Sequence, residues 1–227
     1  MAKAEFITPI EALQAVQRPG FLVSRACAAE FLEQSPEDQK EIAELEREKI
    51  ELIVKVLSHP GLKTLAEEGK ITLGMIKPHI ETGNNLPLDQ DDAAGVIAGE
   101  IGDEHIVFNQ PFFMTREDIE AFYPHVKESL TRSGNIEAWE NMEEFMSSAP
   151  INLLLLYFPK GNAVNSWRNL MGPTMPERAR SEAPDSIRGR HATELPNNIV
   201  HGSDSPESVI KEMGIFADAF TRLLPQN

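Results

Sequence analysis

The chain has a single cysteine, Cys27, in 227 residues. A disulfide scaffold and a zinc cage built on thiolates are therefore both excluded. Long apolar runs are missing as well. The longest, at residues 153–158, falls far short of the ~20 residues that a membrane-spanning helix requires. The first residues include Glu5 and Glu11 and lack a basic start followed by an apolar core. They do not read as a secretory signal, and the cytoplasm is the expected compartment. Positive charge is scarce: 21 basic residues face 36 acidic ones, a net charge of −15. Such a surface repels nucleic-acid backbone and anionic lipid, so neither nucleic acid nor membrane is an expected partner. There is no repeat, no low-complexity tract and no Gly-x-x-x-x-Gly-Lys-Ser/Thr loop to cradle phosphates.

What is present suits a globular protein. Hydrophobic residues make up 41% and charged residues 25%, and the length fits one large domain or an ordinary domain with an extension. Residues 1–69 read as helical. Thr8-Pro9-Ile10-Glu11 and Ser24 look like helix starts, with Cys27 on an apolar face. Ser35-Pro36-Glu37-Asp38 gives a cap, a first-turn proline and two acids at the positive end of the helix dipole. Ile42, Leu45, Ile50, Ile53, Val56 and Leu57 then recur at helical spacing, a stripe that needs covering. A short helix around 62–67 follows.

From residue 71 the pattern changes to α+β. Residues 71–76 suit a buried strand and 82–92 a loop, and 91–101 suit a helix with Val96, Ile97 and Ile101 inward. A strand is expected over 106–114, helices over 115–123 and 137–146, and a central strand over 151–158, too apolar for an edge. A helix over 163–171 leads into a Pro- and Arg-rich loop, 172–196, and a last helix is expected over 206–214 with an apolar tail to Leu224. The basic residues are unevenly placed. Arg168, Arg178, Arg180, Arg188 and Arg190 gather in one stretch of an otherwise acidic chain, as an anion-handling protein needs.

The most informative segment is Asn198-Ile199-Val200-His201-Gly202-Ser203-Asp204-Ser205. It sets a histidine at the end of an apolar strand, then a glycine that permits close backbone approach, then hydroxyls and an acid. A helix starting at Pro206 brings Glu212 back toward the histidine, where its carboxylate can hold one imidazole nitrogen and leave the other as nucleophile. Lys77, Arg168 and Arg188 supply what phosphoryl transfer needs, which is mostly positioning and charge stabilisation. His79, His105, His125 and His191 have no partners at metal-ligand spacing and read as surface or loop residues.

This segment matches the signature Asn-x-x-His-Gly-Ser-Asp-Ser of nucleoside diphosphate kinases. Met75-Ile76-Lys77-Pro78 resembles that family's first strand and lysine. Trp167-Arg168-Asn169-Leu170-Met171-Gly172-Pro173-Thr174 and Ser186-Ile187-Arg188-Gly189 resemble its two phosphate-binding segments. The order agrees over about 71–220, which separates a helical N-terminal extension, 1–69, from a kinase-like domain, 70–227. The resemblance implies a ferredoxin-like α+β fold with a four-stranded antiparallel sheet, and a ping-pong reaction through phosphohistidine at His201. It further implies that Lys77 and Asn198 hold the ribose hydroxyls and steer charge near the leaving phosphate. Arg168, Thr174 and Arg188 would hold the phosphates. Mg²⁺ would be carried mainly by the phosphates, with no metal site of the protein's own. Tyr123 resembles the tyrosine beside the histidine, and Ser203 and Glu212 the pair that supports it. Substrates would be nucleoside tri- and diphosphates, and similar proteins assemble as dimers built into tetramers or hexamers.

The chain also departs from the family. A long loop follows Pro78, extra residues fall around 130–137, and the loop at 175–184 is longer than usual. Arg190-His191 stands where Asp-Phe is usual. In the region that presents an aromatic and an apolar residue to the base, Trp139 and Met142 are the expected occupants. The alternative to an active kinase is a nucleotide-binding regulatory or scaffold protein on the same fold, with weak or no transfer because the lengthened loops misplace the nucleotide.

Overall fold

The computed structural model describes residues 35–78 and 90–225. The helices expected before Ser35, Cys27, His79 and most of the 82–92 loop lie outside these residues. The first described helix, α1 (Pro36–Leu57), starts as its sequence requires: the Ser35 hydroxyl accepts from Asp38 N–H, with proline and two acids in the first turn. Its stripe is only partly used. Ile53, Val56 and Leu57 are buried, whereas Leu45, expected inward, is 58% exposed. His59 caps α2 (Pro60–Glu67) by accepting from Gly61 N–H at 3.0 Å.

The remaining elements follow in chain order: β1 (Ile71–Ile76), α3 (Gln90–Ile101), β2 (Ile106–Phe112), α4 (Arg116–Phe122), α5 (Pro124–Arg132), α6 (Ile136–Ser147), β3 (Ile151–Tyr157), α7 (Ala163–Met171), α8 (Pro176–Glu182), α9 (Ile187–His191), β4 (Val200–Gly202) and α10 (Pro206–Arg222). Four differences from expectation have physical causes. The stretch after Tyr123 forms α5 and turns back as α6, because Pro124 starts a helix easily and Gly134, at φ +75°, supports the reversal. The Pro-rich region 172–196 contains α8, begun by Pro176, and α9, capped by Ser186. The last helix runs eight residues past Gly214, because Phe216, Ala219 and Phe220 keep burying one face. Val96 is 40% exposed, since Ala94, Ile97 and Ile101 carry the inner face of α3.

The four strands form one antiparallel sheet in the order β2-β3-β1-β4. The family fold expected from the signature is therefore present. Strand side chains alternate between faces. Leu73, Met75, Leu153 and Leu155 pack under α1, α2, α4, α6 and α10. Leu154, Leu156 and Ile76 pack against α3, α7 and α9 on the opposite face. Burying β1 and β3 on both faces explains why they are continuous apolar runs.

Candidate active site

Strand β4 is three residues long and is fixed by its neighbour: Met75 pairs with His201 and Gly74 with Gly202. Gly202 is required by packing. A Cβ there would lie 2.3 Å from the Trp167 indole nitrogen, which donates to the His201 carbonyl at 3.1 Å. Two residues earlier, Ile199 sits at φ +67°, a left-handed conformation rare for a β-branched side chain and typical of functional segments. The backbone around the histidine is thus held by cross-strand pairing and by a buried tryptophan.

The His201 side chain lies on the face that carries α4 and α10. Its Nε2 is 3.3 Å from both carboxylate oxygens of Glu212, eleven residues on, and Ser203 Oγ donates to Glu212 Oε2 at 2.6 Å. A carboxylate only accepts, so the ring proton belongs on Nε2, which leaves Nδ1 as the nitrogen with a free lone pair. Phe122 and Tyr123 close on the ring edge to face, with centroids 4.9 and 5.7 Å from it. The buried Tyr123 hydroxyl has no partner among the described residues. Burial, reinforced by the charge of Glu212, raises its pKa and keeps it a neutral donor.

Three cationic side chains, Lys77, Arg168 and Arg188, line the same cavity as the histidine. Lys77, just past β1, is buried, with Nζ 2.6 Å from Asn198 Oδ1 and 3.3 Å from the Pro196 carbonyl. Burial, and then the neighbouring Arg188, pull its pKa down to about 7. Arg188 donates from Nη1 to the Gly172 carbonyl and from Nη2 to the Val200 carbonyl, both at 2.8 Å, and from Nε to the Asn198 carbonyl at 3.4 Å. Burial, and then Arg168, lower its pKa to about 10. Asn198 Nδ2 donates to the Thr174 carbonyl at 3.1 Å, tying the histidine segment to the segment that carries Arg168 and Thr174.

One cavity of about 750 Å³ joins these groups. Lys77, Tyr123, Met142, Arg168, Thr174, Arg188, Asn198, His201 and Glu212 all line it. Ser203 stands behind Glu212, outside the lining. Trp139, expected to face the base, does not line the cavity. Its ring is in the core, 4% exposed, with the indole nitrogen unpartnered among the described residues. The neighbouring cavity wall is built instead from Val126, Leu130, Ala138, Asn141 and Met142 of α5 and α6. Four of these were not singled out from sequence; the one available signal was that an inserted helical hairpin must present a face to the site. His125 is exposed, as expected. His105 lies in a turn, also as expected, half-buried and stacked on Phe158 at 4.2 Å, whereas His191 is on a helix and buried at 6%.

Comparison with known proteins agrees with the fold. The family model described as nucleoside diphosphate kinase matches residues 70–221. Thioredoxin domain-containing protein 6 of Homo sapiens is 33% identical over 153 residues, 66% of this chain and 42% of that protein. Nucleoside diphosphate kinase 6 of Danio rerio is 33% identical over 116 residues, 51% of this chain and 61% of that protein. The chain thus spans less than half the length of the human thioredoxin-domain relative. Among solved structures, the Aquifex aeolicus nucleoside diphosphate kinase superposes with a TM-score of 0.51 at 28% identity, over 65% of this chain and 94% of that one. A halophilic nucleoside diphosphate kinase from Halobacterium salinarum, solved with CDP, shares the fold at a TM-score of 0.51 and 22% identity, over 65% of this chain and 87% of that one.

Proposed function

Because this chain belongs to the nucleoside diphosphate kinase family, we propose that it transfers the γ-phosphate of a nucleoside triphosphate to a nucleoside diphosphate through phosphohistidine at His201. The observation that carries this is the pairing of Glu212 with His201 Nε2 in a nucleotide-sized cavity that Lys77 and Arg188 also line. In the first half-reaction Nδ1 attacks the γ-phosphorus. A P–N bond forms, the bond to the bridging oxygen breaks, and the nucleoside diphosphate leaves with the electron pair. A second diphosphate then attacks the phosphohistidine, reversing the steps. Glu212 stabilises the charge that develops on the ring as the P–N bond forms, and Ser203 orients Glu212. The Tyr123 hydroxyl, without a partner among the described residues, would donate to a phosphoryl oxygen. Arg168, Thr174 and Arg188 take the phosphates, while Lys77 and Asn198 take the ribose side and the leaving phosphate.

Mg²⁺ fits this site as part of the substrate. The cavity carboxylates are already engaged, Asp204 by Ser208 and Glu212 by His201 and Ser203. Phosphate oxygens would therefore carry the ion, which neutralises charge on them. An oligomer, dimer or larger, belongs to the same proposal.

The test is incubation with γ-labelled ATP and Mg²⁺. Acid-labile label, chased onto added GDP and missing from His201→Ala, is the expected result. A folded protein that binds nucleotide but takes no label would overturn the kinase reading in favour of a regulatory nucleotide-binding role.

A further inference from the structure

Away from the cavity lies a charged cluster, half-buried around Glu100 and His191, that no step of the transfer uses. Glu100, near the end of α3, grips two neighbouring side chains of α9. Its Oε1 is 2.7 Å from His191 Nε2, and its Oε2 is 2.7 Å from Arg190 Nη2. The Glu100 and His191 side chains are only 17% and 7% exposed. Glu100 can only accept, so Nε2 of His191 carries the ring proton and donates it. Both carboxylate oxygens are engaged; the bond to the buried His191 is the sheltered one, while Arg190 is 46% exposed and its bond is partly screened by solvent.

The helix they hold carries Arg188. With five residues, α9 is too short to persist on local propensity, so its position is set by its anchors. Several come from nearby chain: Ser186 caps it, Arg180 donates to the Ala192 carbonyl at 2.8 Å, and Arg188 itself bonds the Gly172 and Val200 carbonyls. All of these lie within residues 172–200. Glu100 bonds α9 from about ninety residues away in sequence, from α3, which packs beside α9 on the same face of the sheet. Its two partners, Arg190 and His191, are also the pair that stands where the family usually has Asp-Phe.

We propose that Glu100 is a positioning residue for phosphate binding: it locks α9 against α3 and thereby fixes where the Arg188 guanidinium meets the nucleotide. The inference rests on the nucleotide-binding reading above. If Glu100 acts through Arg188, its loss costs little further affinity once Arg188 is gone, which a general structural role does not predict.

The experiment is a double-mutant cycle on the full chain, reading the Kd for GDP by calorimetry with the melting temperature alongside. Glu100→Ala is expected to raise the Kd about tenfold in the wild-type background and less than twofold in the Arg188→Ala background. Unequal effects of that kind are the signature of two coupled residues. An equal rise in both backgrounds, or an unchanged Kd in the first, would overturn the proposal. If Glu100→Ala does not fold, Glu100→Gln, which keeps the size and one acceptor, serves the same cycle with an expected rise of about threefold. Wild-type protein that fails to bind GDP would sink the nucleotide-binding reading itself. Wild-type protein that binds GDP without transferring phosphate would sink only the kinase reading, and the Kd cycle would still decide the role of Glu100.

Discussion

At the scale of single residues, the site depends on groups whose ordinary behaviour the fold has altered. Lys77 is the clearest. Its folded pKa of about 7 lies well below the ordinary lysine value near 10.5. Between those values the unfolded chain holds a proton that folded Lys77 has lost, so this residue's contribution to stability improves as pH rises from about 7 toward 10. Binding runs the other way, because phosphates favour the charged form. Affinity for a nucleoside diphosphate should therefore fall as pH rises from 6 to 9, and Lys77→Gln should bind more weakly with a flatter profile. Equal slopes for the two proteins in calorimetric titrations would show that Lys77 is not the titrating group. Gly202 makes a second prediction at this scale. The added methyl of Gly202→Ala would meet Trp167 Nε1 at 2.3 Å and Met171 Cε at 2.8 Å. Overpacking of this kind costs about 1–3 kcal/mol, and it would also strain the bond that holds the His201 carbonyl. A melting temperature within a degree of wild type would contradict that reading.

At the scale of elements, legibility depended on whether one pattern dominated. α1, α7, β1 and β3 were readable because a single period, or an unbroken apolar run, extended through each. α8 and α9 were not, because proline and arginine density looks the same in a loop and in short helices begun by Pro176 and Ser186. Gly214 read as a stop, yet the burial of Phe216 and Phe220 outweighs the roughly 1 kcal/mol that a helical glycine costs. The sites divide in the same way. His201, Lys77, Arg188 and Asn198 were findable because each lies in a short linear motif, Glu212 because a helix begun at Pro206 returns it to His201, and the fold brings all of them to one cavity. The base-side wall was not, since it depends on which face of α6 turns inward. That helix makes a direct test. Met142 lines the cavity, and Trp139 is buried on another side with Lys127 Nζ 5.6 Å from its ring centre. Trp139→Leu should lower the melting temperature by several degrees while leaving the GDP Kd within about twofold. Met142→Ala should do the reverse, raising the Kd about threefold or more with little thermal effect. If Trp139→Leu instead weakened binding at an unchanged melting temperature, the assignment of faces would be inverted.

At the scale of the molecule, the family match begins at residue 70, but the core does not. Ile53, Val56 and Leu57 of α1 belong to the same buried cluster as Phe112, Phe216 and Phe220, and Phe112 meets Phe220 with ring centres 4.8 Å apart. The described part of the N-terminal region is therefore built into the packing beneath the sheet, on the face that also holds Glu212 through α10. This joins stability to function. α10 carries Glu212 near its middle and packs on α1 further along, so loosening α1 frees the C-terminal half of the helix whose N-terminal half supports His201. Ile53 is 1% exposed, and truncating such a residue to alanine costs about 2–5 kcal/mol. For a chain of this size that corresponds to a fall in melting temperature of about 5–15 °C. Ile53→Ala should show that loss in the full chain, whereas Leu45→Ala, on the exposed part of the same stripe, should change the melting temperature by less than about 2 °C. An Ile53→Ala protein as stable as wild type would mean that α1 lies on the kinase fold without contributing to its core. The Glu212–His201 pair would then owe nothing to the N-terminal region.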